Sequence, residues 1–303
     1  MAIVCCVHSL WRMLPAFLAH HRALGVSRFF IYSDRCPPEA ADLMTGRPDM
    51  EHVAHDRIAR GLQNVEFQMR CADAALARCR QLGIDWLLHI DPDEFAWPGL
   101  GHTLVDLVRE IPGSIEQVTL ETREALTTPV SGPWRFWEQT YVWSGTPAPR
   151  ELADPNTGER IRVERTLGHA LGKSIGRVSA DIQAGNSHTW TRRTGERLPP
   201  LVSLPTLTRG EHVHYVLFSA EQFLEKYRAF HPDGDTWPRG NPKPFPKQAW
   251  IQWSVSATPA EVETYLRDWV WMDSSAAESA CGSGHAKAFP HIKNHLIECG
   301  LIP

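Results

Sequence analysis

The stretch Asp85–Phe95, with the sequence DWLLHIDPDEF, decides how the rest of the chain is interpreted. Trp86 to Ile90 is a short apolar run, and its length and composition predict a buried strand. Three carboxylates follow this run within four residues, namely Asp91, Asp93 and Glu94. The sequence therefore predicts an acidic turn directly after a strand of the core.

Carboxylates this close together require a positive partner, because burying or crowding ionised carboxylates is costly. On extended backbone Asp91 and Asp93, which are two residues apart, would point to the same side. Pro92 between them stiffens the turn. Two oxygen ligands at such a turn suit Mg²⁺ or Mn²⁺, with substrate phosphates completing the shell. The alternative is an acidic turn that caps a following helix.

The beginning of the chain alternates strand, helix and strand. Ala2–Val7 and Val26–Tyr32 predict buried strands, and Trp11–Leu24 has apolar residues at helical spacing. This order implies a parallel pair of strands with a right-handed crossover. His8 and Asp34 follow the two strands at their carboxyl ends, where open α/β sheets bind ligands.

A long predicted helix, Arg60–Leu82, leads into the acidic stretch, and Ser114–Leu120 predicts a further strand. Lys173 and Arg177 lie four residues apart beside a short strand, a pattern that suits clamping a pyrophosphate. A solvated basic loop is the alternative for that segment.

The alternation in Glu211–Val216 places His212 and His214 on one face of a strand. Ser219 and Thr258 predict the starts of two later helices.

Composition excludes several classes of protein. The 303 residues carry a net charge of −4, which argues against a general nucleic-acid binder. No apolar run approaches the roughly 20 residues that span a bilayer, and the N-terminus lacks the pattern of a signal peptide. Seven cysteines without metal-ligand spacing favour buried thiols in a reducing cytosol. We therefore expect a cytoplasmic protein.

The order of the segments resembles the nucleotide-sugar glycosyltransferases of the GT-A fold, and within them the family-92-like branch grouped with family 2. Four segments carry the resemblance: HHRALGVSRFFIYSD (residues 20–34), DWLLHIDPDEF (85–95), GKSIGR (172–177) and HVHYVLFSAEQFLEKY (212–227). It extends from Ile3 to Tyr227. IDPDEF in this context is specific, and GKSIGR and HYVLFSAEQF are moderately so, whereas each segment alone would be weak.

This resemblance implies an α/β fold with a Rossmann-like, mostly parallel sheet in residues 1–230. Residues 231–303 would form a C-terminal loop and helical extension on the acceptor side. The donor would be a nucleoside-diphosphate sugar, UDP-linked by preference, and the acceptor a glycan or lipid-linked glycan. Work at the inner face of the membrane, as a peripheral protein, is a hypothesis from family habit.

The resemblance also implies roles for individual residues. Asp91 and Asp93 would hold Mn²⁺ or Mg²⁺ on the donor diphosphate, with His214 as a further metal ligand. Asp34 would contact the base or ribose, and Lys173 with Arg177 would steady the leaving diphosphate. His8 stands where relatives often carry Asn-Glu, and this departure makes the base contact and the nucleotide an open question.

Transfer with inversion, expected by analogy with family 2 alone, requires a general base for the acceptor hydroxyl. The candidates for this base are Glu121, Glu124, Asp181 and Glu211.

Two other functions remain open. One is a metal-dependent hydrolase that uses Asp91, Asp93, His188 and His214 on phosphoesters or nucleotide sugars. The other is a non-catalytic homologue that binds a nucleotide or carbohydrate. Specificity would depend on the loops of residues 127–156 and 199–246, which no motif encodes.

Overall fold

The acidic stretch follows a strand of a central sheet in the computed structural model, which describes residues 1–145, 147, 149–164, 166–169, 171–198, 210–233 and 243–303. The strands are β1 Ala2–Val7, β2 Arg28–Asp34, β3 Met50–His55, β4 Trp86–His89, β5 Glu94–Trp97, β6 Gln117–Glu124, β7 Tyr141–Trp143, β8 Arg150–Ala153, β9 Arg160–Val163, β10 Lys173–Arg177, β11 Ile182–Ala184, β12 Trp190–Arg192, β13 Glu211–His214 and β14 Ala286–Ala288.

The helices are α1 Leu14–Ala23, α2 Pro38–Met44, α3 Asn64–Leu82, α4 Leu104–Arg109, α5 Ala220–Phe230, α6 Lys247–Ser254, α7 Pro259–Tyr265, α8 Ser274–Gly282 and α9 His291–Glu298. Short 3-10 turns cover Trp11–Met13, Phe136–Glu138 and His231–Asp233, and a π-helical turn covers Leu266–Val270.

Among the described residues, the central sheet has the strand order β3-β2-β1-β4-β10-β6-β13-β5. β1 pairs in parallel with β2 and β4, and β2 pairs in parallel with β3. β10 runs antiparallel to both of its neighbours, β4 and β6. The predicted α/β class, with a mostly parallel sheet flanked by helices as in a Rossmann-like GT-A fold, is confirmed.

The chain forms two compact units, the first made of residues 1–122, 170–212 and 299–303 and the second of residues 123–169 and 213–298. The central sheet belongs to the first unit, and the ends of β6 and β13 carry the chain into the second. Position 230, where we predicted a boundary, lies inside the second unit.

The core of the first unit forms because β1 is buried on both faces. Ala2, Val4 and Cys6 pack against one apolar face of α3, which includes Phe67 and Leu76. α3 ends at Gly83, whose positive φ of 65° closes the helix before β4.

The core of the second unit is built on aromatic residues of its helices. Trp250 is fully buried, and its Nε1–H donates to the hydroxyl of Tyr265 at 3.0 Å, which in turn donates to the carbonyl of Ala153 at 2.8 Å. The predicted caps are confirmed, since Ser219 accepts from the backbone of α5 and Thr258 forms a complete capping box on α7.

Several elements of the first unit, among them β3 and α2, are absent from the sequence-based expectation. β3 is an edge strand whose sequence, MEHVAH, is polar and only partly buried, so no apolar alternation announces it. α3 begins at Asn64 rather than at Arg60. Parts of the predicted specificity loops, residues 199–209 and 234–242, lie outside the described residues. Within the ranges that are described, no helix is both long and apolar enough to cross a bilayer.

Gly172 fixes the start of β10 against β6, and we predict that it cannot be replaced. Its φ is +73°, and an added Cβ would lie 2.5 Å from the carbonyl oxygen of Leu120, the residue that pairs with Lys173. A left-handed non-glycine residue costs about 1–2 kcal/mol, and a clash that shifts backbone adds about 1–3 kcal/mol. Urea unfolding of Gly172→Ala should therefore show a loss of about 3 kcal/mol, the sum of these two effects.

Gly195→Ala is the matched control, because Gly195 has a φ of +88° and nothing within 4 Å of an added Cβ. It should lose about 1–2 kcal/mol, the conformational part alone. Equal losses in the two variants would contradict the predicted clash.

Candidate active site

Polar residues from several loops meet at one edge of the central sheet. β1, β2 and β4 run parallel, so their carboxyl ends lie at the same edge of the sheet. His8 follows β1, Asp34 is the last residue of β2 and Asp91 follows β4, so all three lie at that edge. β10 runs the other way and brings its first residue, Lys173, to that edge beside the end of β4. This is the edge at which open α/β sheets bind ligands.

The acidic stretch forms a β-turn rather than the extended backbone that we expected. The N–H of Glu94 donates to the carbonyl of Asp91 at 3.1 Å, which closes a four-residue turn. The N–H of Asp91 in turn donates to Oε2 of Glu94, also at 3.1 Å. Glu94 therefore holds the turn from its side chain, and the predicted two-residue alternation does not set the direction of Asp91 and Asp93.

Lys173 places a buried ammonium among these carboxylates. Its Nζ lies 2.6 Å from Oδ2 of Asp91 and 3.2 Å from Oε2 of Glu94, and its side chain is 1% exposed. Burial alone would lower the pKa of Lys173, but the charges of Asp91 and Glu94 raise it above its ordinary value. The ammonium therefore stays charged and ties β10 to the turn after β4.

Asp91, Asp93 and Glu94 carry three formal negative charges and the Lys173 ammonium carries one positive charge, so these four groups together have a formal excess of two negative charges. Burial, together with the charges of Glu94 and Asp93, raises the pKa of Asp91, although Lys173 opposes the shift. The Asp91 side chain keeps 21% of its surface exposed.

Hard divalent cations take carboxylate oxygens and complete their shell with water and phosphate. The oxygen donors, the excess charge and the partial exposure fit Mg²⁺ or Mn²⁺, with Asp91 and Asp93 as the ligands.

Two histidines near this corner contribute no positive charge at neutral pH. Burial and the nearby charge of Lys173 lower the pKa of His89 to about 3 and that of His188 to about 4. Nδ1 of His188 lies 2.8 Å from the carbonyl oxygen of Gly172, so this nitrogen carries the proton and donates it. The negative excess at the corner is therefore not offset by these rings.

A second polar cluster surrounds Asp34 at the end of β2. Its Oδ1 accepts the backbone N–H of Arg57 at 2.8 Å, and its Oδ2 lies 3.0 Å from Nε of Arg57 and 2.7 Å from Nδ1 of His8. The side chains of Asp34 and Arg57 are both fully buried. Burial would raise the pKa of Asp34, but the hydrogen bonds from His8 and Arg57 and the nearby positive charges lower it to about 2.

Arg177 and Asp181 lie at the opposite edge of the sheet. Arg177 pairs with Trp86 at the start of β4, its guanidinium lies 4.2 Å from the Trp86 ring, and it donates to the carbonyls of Ile115 and Pro112. Four residues of extended strand separate Lys173 from Arg177 by about 13 Å, so the structure does not bring these two residues of the predicted clamp together. Asp181 follows β10 at that edge, 70% exposed and 3.4 Å from Arg192.

Glu121 and Glu211, two of the proposed bases, lie at the ligand-binding edge. The alternation of side chains along their strands directs them away from Lys173. Leu120 pairs directly with Lys173, so the next residue, Glu121, points to the other face of the sheet. On β13 it is His212, not Glu211, that approaches Glu94, with 3.7 Å between Nε2 and Oε1. The role of general base stays a prediction for both residues.

His214, the predicted further metal ligand, lies in the second unit beside His169 and Glu124. The two imidazole rings have centroids 5.1 Å apart. Glu124 accepts the N–H groups of Leu167 and Gly168 at 2.9 and 2.6 Å, which fixes the loop beside His214. Its role as a ligand stays a prediction.

Sequence reasoning missed three residues that organise the site. Arg57 pairs with Asp34, Gln68 donates to Oδ1 of Asp91 at 3.1 Å, and Ser187 accepts from Lys173 through its carbonyl at 3.2 Å. Arg57 follows an edge strand that was itself missed, so no pattern placed it near Asp34. Gln68 lies on a helix that was predicted. Its position beside the apolar face of that helix was the available signal that its side chain could approach the site.

Comparison with known proteins gives one relative by sequence. Over 133 residues the chain is 27% identical to a glycosyltransferase-like protein of Arabidopsis thaliana, a match that covers 42% of this chain and 28% of that protein. The chain thus spans less than a third of the length of that relative. No family model matches.

Two solved structures have weak overall similarity. A CMP:2-keto-3-deoxy-manno-octonic acid synthetase complexed with CTP is 10% identical, with a TM-score of 0.29 over 58% of this chain and 73% of that one. A glucose-1-phosphate thymidylyltransferase of Bacillus anthracis in complex with a sucrose is 8% identical, with a TM-score of 0.30 over 94% of this chain and 95% of that one. Neither score reaches the level at which two structures share a fold.

Replacing Lys173 should destabilise the protein in a pH-dependent way. Lys173→Met removes the charge and keeps most of the volume, so Asp91 and Glu94 lose their buried cation. Breaking a buried pair in this way costs about 3–5 kcal/mol. Carboxylates that have lost their cation bind protons at a higher pH, so acid destabilises the variant less than the wild type. The difference in urea midpoint between Lys173→Met and the wild type should therefore be smaller at pH 4 than at pH 7. A gap that stays constant or widens would contradict the pairing.

Asp34 should stabilise the fold most at neutral pH. Its pKa is about 2 in the folded protein and 3.8 as the ordinary value. Because the folded pKa is the lower one, this stabilisation is complete above pH 4 and is lost as the pH falls towards 2. The shift corresponds to about 2 kcal/mol.

In urea unfolding from pH 7 to pH 2.5, the stability advantage of the wild type over Asp34→Asn should shrink by about two thirds of that amount, because a carboxyl with a pKa of about 2 is still mostly ionised at pH 2.5. Asp181→Asn is the control, since its exposed pair should contribute about 0–1 kcal/mol at any pH. A wild-type advantage over Asp34→Asn that is as large at pH 2.5 as at pH 7 would overturn the prediction.

Proposed function

We propose that this protein is a metal-dependent glycosyltransferase that moves a sugar from a nucleoside-diphosphate sugar to a hydroxyl of a glycan, with inversion. The observation that carries the proposal is the acidic corner at the ligand-binding edge. Its two aspartates, Asp91 and Asp93, and its formal excess of two negative charges suit a divalent cation that a diphosphate would share. The similarity to a glycosyltransferase-like protein over 133 residues supports the same function.

The residues at the corner match the electrostatics of this reaction. Breaking a sugar–phosphate bond develops negative charge on the leaving diphosphate, and positive groups that are already in place stabilise that charge. A bound Mg²⁺ or Mn²⁺ would supply Lewis acidity at the diphosphate. Lys173 holds Asp91 in a fixed orientation, since its buried ammonium lies 2.6 Å from that carboxylate. In this proposal Lys173 orients the metal ligand, and Arg177 takes no part.

The acceptor hydroxyl requires a base, and the position of each candidate gives a different expectation. Asp181 lies at the opposite edge of the sheet and is mostly exposed, so Asp181→Asn should retain full transfer. Glu121 lies within β6 and Glu211 begins β13, and both are near the ligand-binding edge on strands that the acidic corner does not share. The anomeric configuration of the product tests inversion, and retention would remove the need for either base.

The decisive prediction concerns Asp93, which is buried at the turn with 4% of its surface exposed. Asp93→Asn keeps the shape of the side chain but removes a charged ligand, so transfer should fall about a hundredfold or more. The measurement is Mn²⁺-dependent transfer across a panel of nucleotide sugars and glycan acceptors, with Mn²⁺ titrated for each variant. The wild type with metal chelated should lose activity to a similar extent.

Asp268→Asn is the matched control, since this aspartate is 51% exposed and pairs with a neighbouring surface arginine. It should transfer like the wild type. Undiminished Mn²⁺-dependent transfer by Asp93→Asn would overturn the metal assignment. Consumption of donor without any acceptor would identify a hydrolase, and nucleotide binding without turnover would identify a binding homologue.

A further inference from the structure

The carboxylate of Asp34 is fully buried, and both of its oxygens have partners within the protein. Its Oδ1 accepts the backbone N–H of Arg57 at 2.8 Å, and its Oδ2 lies 3.0 Å from Nε of Arg57 in an ion pair and 2.7 Å from Nδ1 of His8. The side chain is 0% exposed. A base or ribose could reach this carboxylate only by displacing side chains that cover it. We therefore do not expect Asp34 to contact the nucleotide at this edge of the sheet.

The next residue, Arg35, is held in an unusual backbone conformation. Its φ is +52°, in the left-handed region that costs a non-glycine residue about 1–2 kcal/mol. Its N–H donates to the carbonyl of His55 at 3.1 Å, which anchors the turn to β3. Backbone strain of this kind persists where surrounding structure enforces it, and it is concentrated at functional sites.

One side of the Arg35 guanidinium faces Asp34 and His8. Its Nε and Nη2 lie 3.4 and 3.5 Å from Oδ2 of Asp34, and Nη2 lies 3.1 Å from Nε2 of His8. An arginine N–H can only donate, so Nε2 of His8 accepts and its Nδ1–H donates to Asp34. Nη1 of Arg35 has no hydrogen-bond partner among the described residues, and a third of the side chain is exposed.

The formal charge of this cluster is opposite to that of the acidic corner. Arg35 and Arg57 carry two positive charges against one on Asp34, and Nε2 of His8 accepts from Arg35. The cluster is thus positive by one charge, and its exposed donor is a guanidinium. Such a group binds oxygen acceptors, and most strongly charged ones.

We infer that Arg35 is the residue at this edge that contacts the donor nucleotide, donating from Nη1 to an acceptor oxygen of a phosphate or of the base. Asp34 is a positioning residue that holds Arg35 and His8. This inference rests on the proposed function, because it assigns one contact within the same donor site.

The test measures nucleotide binding by calorimetry in the presence of Mn²⁺, with UDP and GDP as probes of the full chain. Of these two nucleotides, the one that the wild type binds more tightly should bind Arg35→Gln about 10–100-fold more weakly, as expected for losing a hydrogen bond to a charged or buried acceptor. The matched control is Arg47→Gln, because Arg47 is an exposed arginine whose Nε donates to a backbone carbonyl of α2. It should bind like the wild type.

The monophosphate and the nucleoside identify which oxygen is bound. If Arg35 contacts a phosphate, Arg35→Gln should lower the affinity for the diphosphate and the monophosphate and leave the affinity for the nucleoside unchanged. If it contacts the base, all three should weaken by the same factor. Both patterns support Arg35 as the contact.

Asp34 is tested through Arg35. Asp34→Asn should weaken the nucleotide in the wild-type background but cause little further loss in the Arg35→Gln background, since the two residues act as one unit. Losses that multiply independently would show that Asp34 does not act through Arg35. Arg35→Gly guards against misfolding, because glycine relieves the left-handed backbone, so it should keep its melting temperature and still bind weakly.

The two proposals fail in different ways. Unchanged nucleotide affinity in Arg35→Gln and Arg35→Gly overturns this inference and leaves the proposed function standing. A wild type that binds neither UDP nor GDP with Mn²⁺ overturns the proposed function and this inference with it.

Discussion

The buried ammonium of Lys173 is the constraint on which the candidate site depends. It lies 2.6 Å from Asp91 and 3.2 Å from Glu94 with almost no exposure, so the charges must be satisfied by one another. The pair joins β10 to the turn after β4, two elements 82 residues apart in the chain. Without this cation the acidic turn would be an unstable cluster of carboxylates. With it, the turn keeps a defined shape and a negative excess.

Two clusters of opposite charge follow from the strand order β2-β1-β4. The acidic corner at the end of β4 is formally negative by two charges, and the Asp34 cluster at the end of β2 is formally positive by one. Two strand spacings place these ends about 10 Å apart. Under the proposed function, the metal-bound diphosphate would lie at the first cluster and an acceptor oxygen of the nucleotide at the second. The sheet supplies both, because its parallel strands bring their carboxyl ends to one edge.

The errors of sequence reasoning have specific physical causes. β3 was missed because an edge strand needs no apolar alternation, and Arg57, which follows it, was missed with it. Arg177 was grouped with Lys173 because they are close in sequence, yet a strand carries its two ends to opposite edges of the sheet. The two-residue alternation predicted for Asp91 and Asp93 does not hold, since a hydrogen bond closes the segment into a turn.

The sequence by itself determined the α/β class, the parallel strands at its start and the position of the acidic stretch at a strand end. These depend on local periodicity and on the handedness of strand–helix–strand units, which short segments encode. Only the tertiary structure decided that Lys173 neutralises Asp91 and that Arg57 occupies the carboxylate of Asp34. Both pairings join residues more than 20 positions apart, and their geometry depends on strand register and burial, which no local pattern specifies.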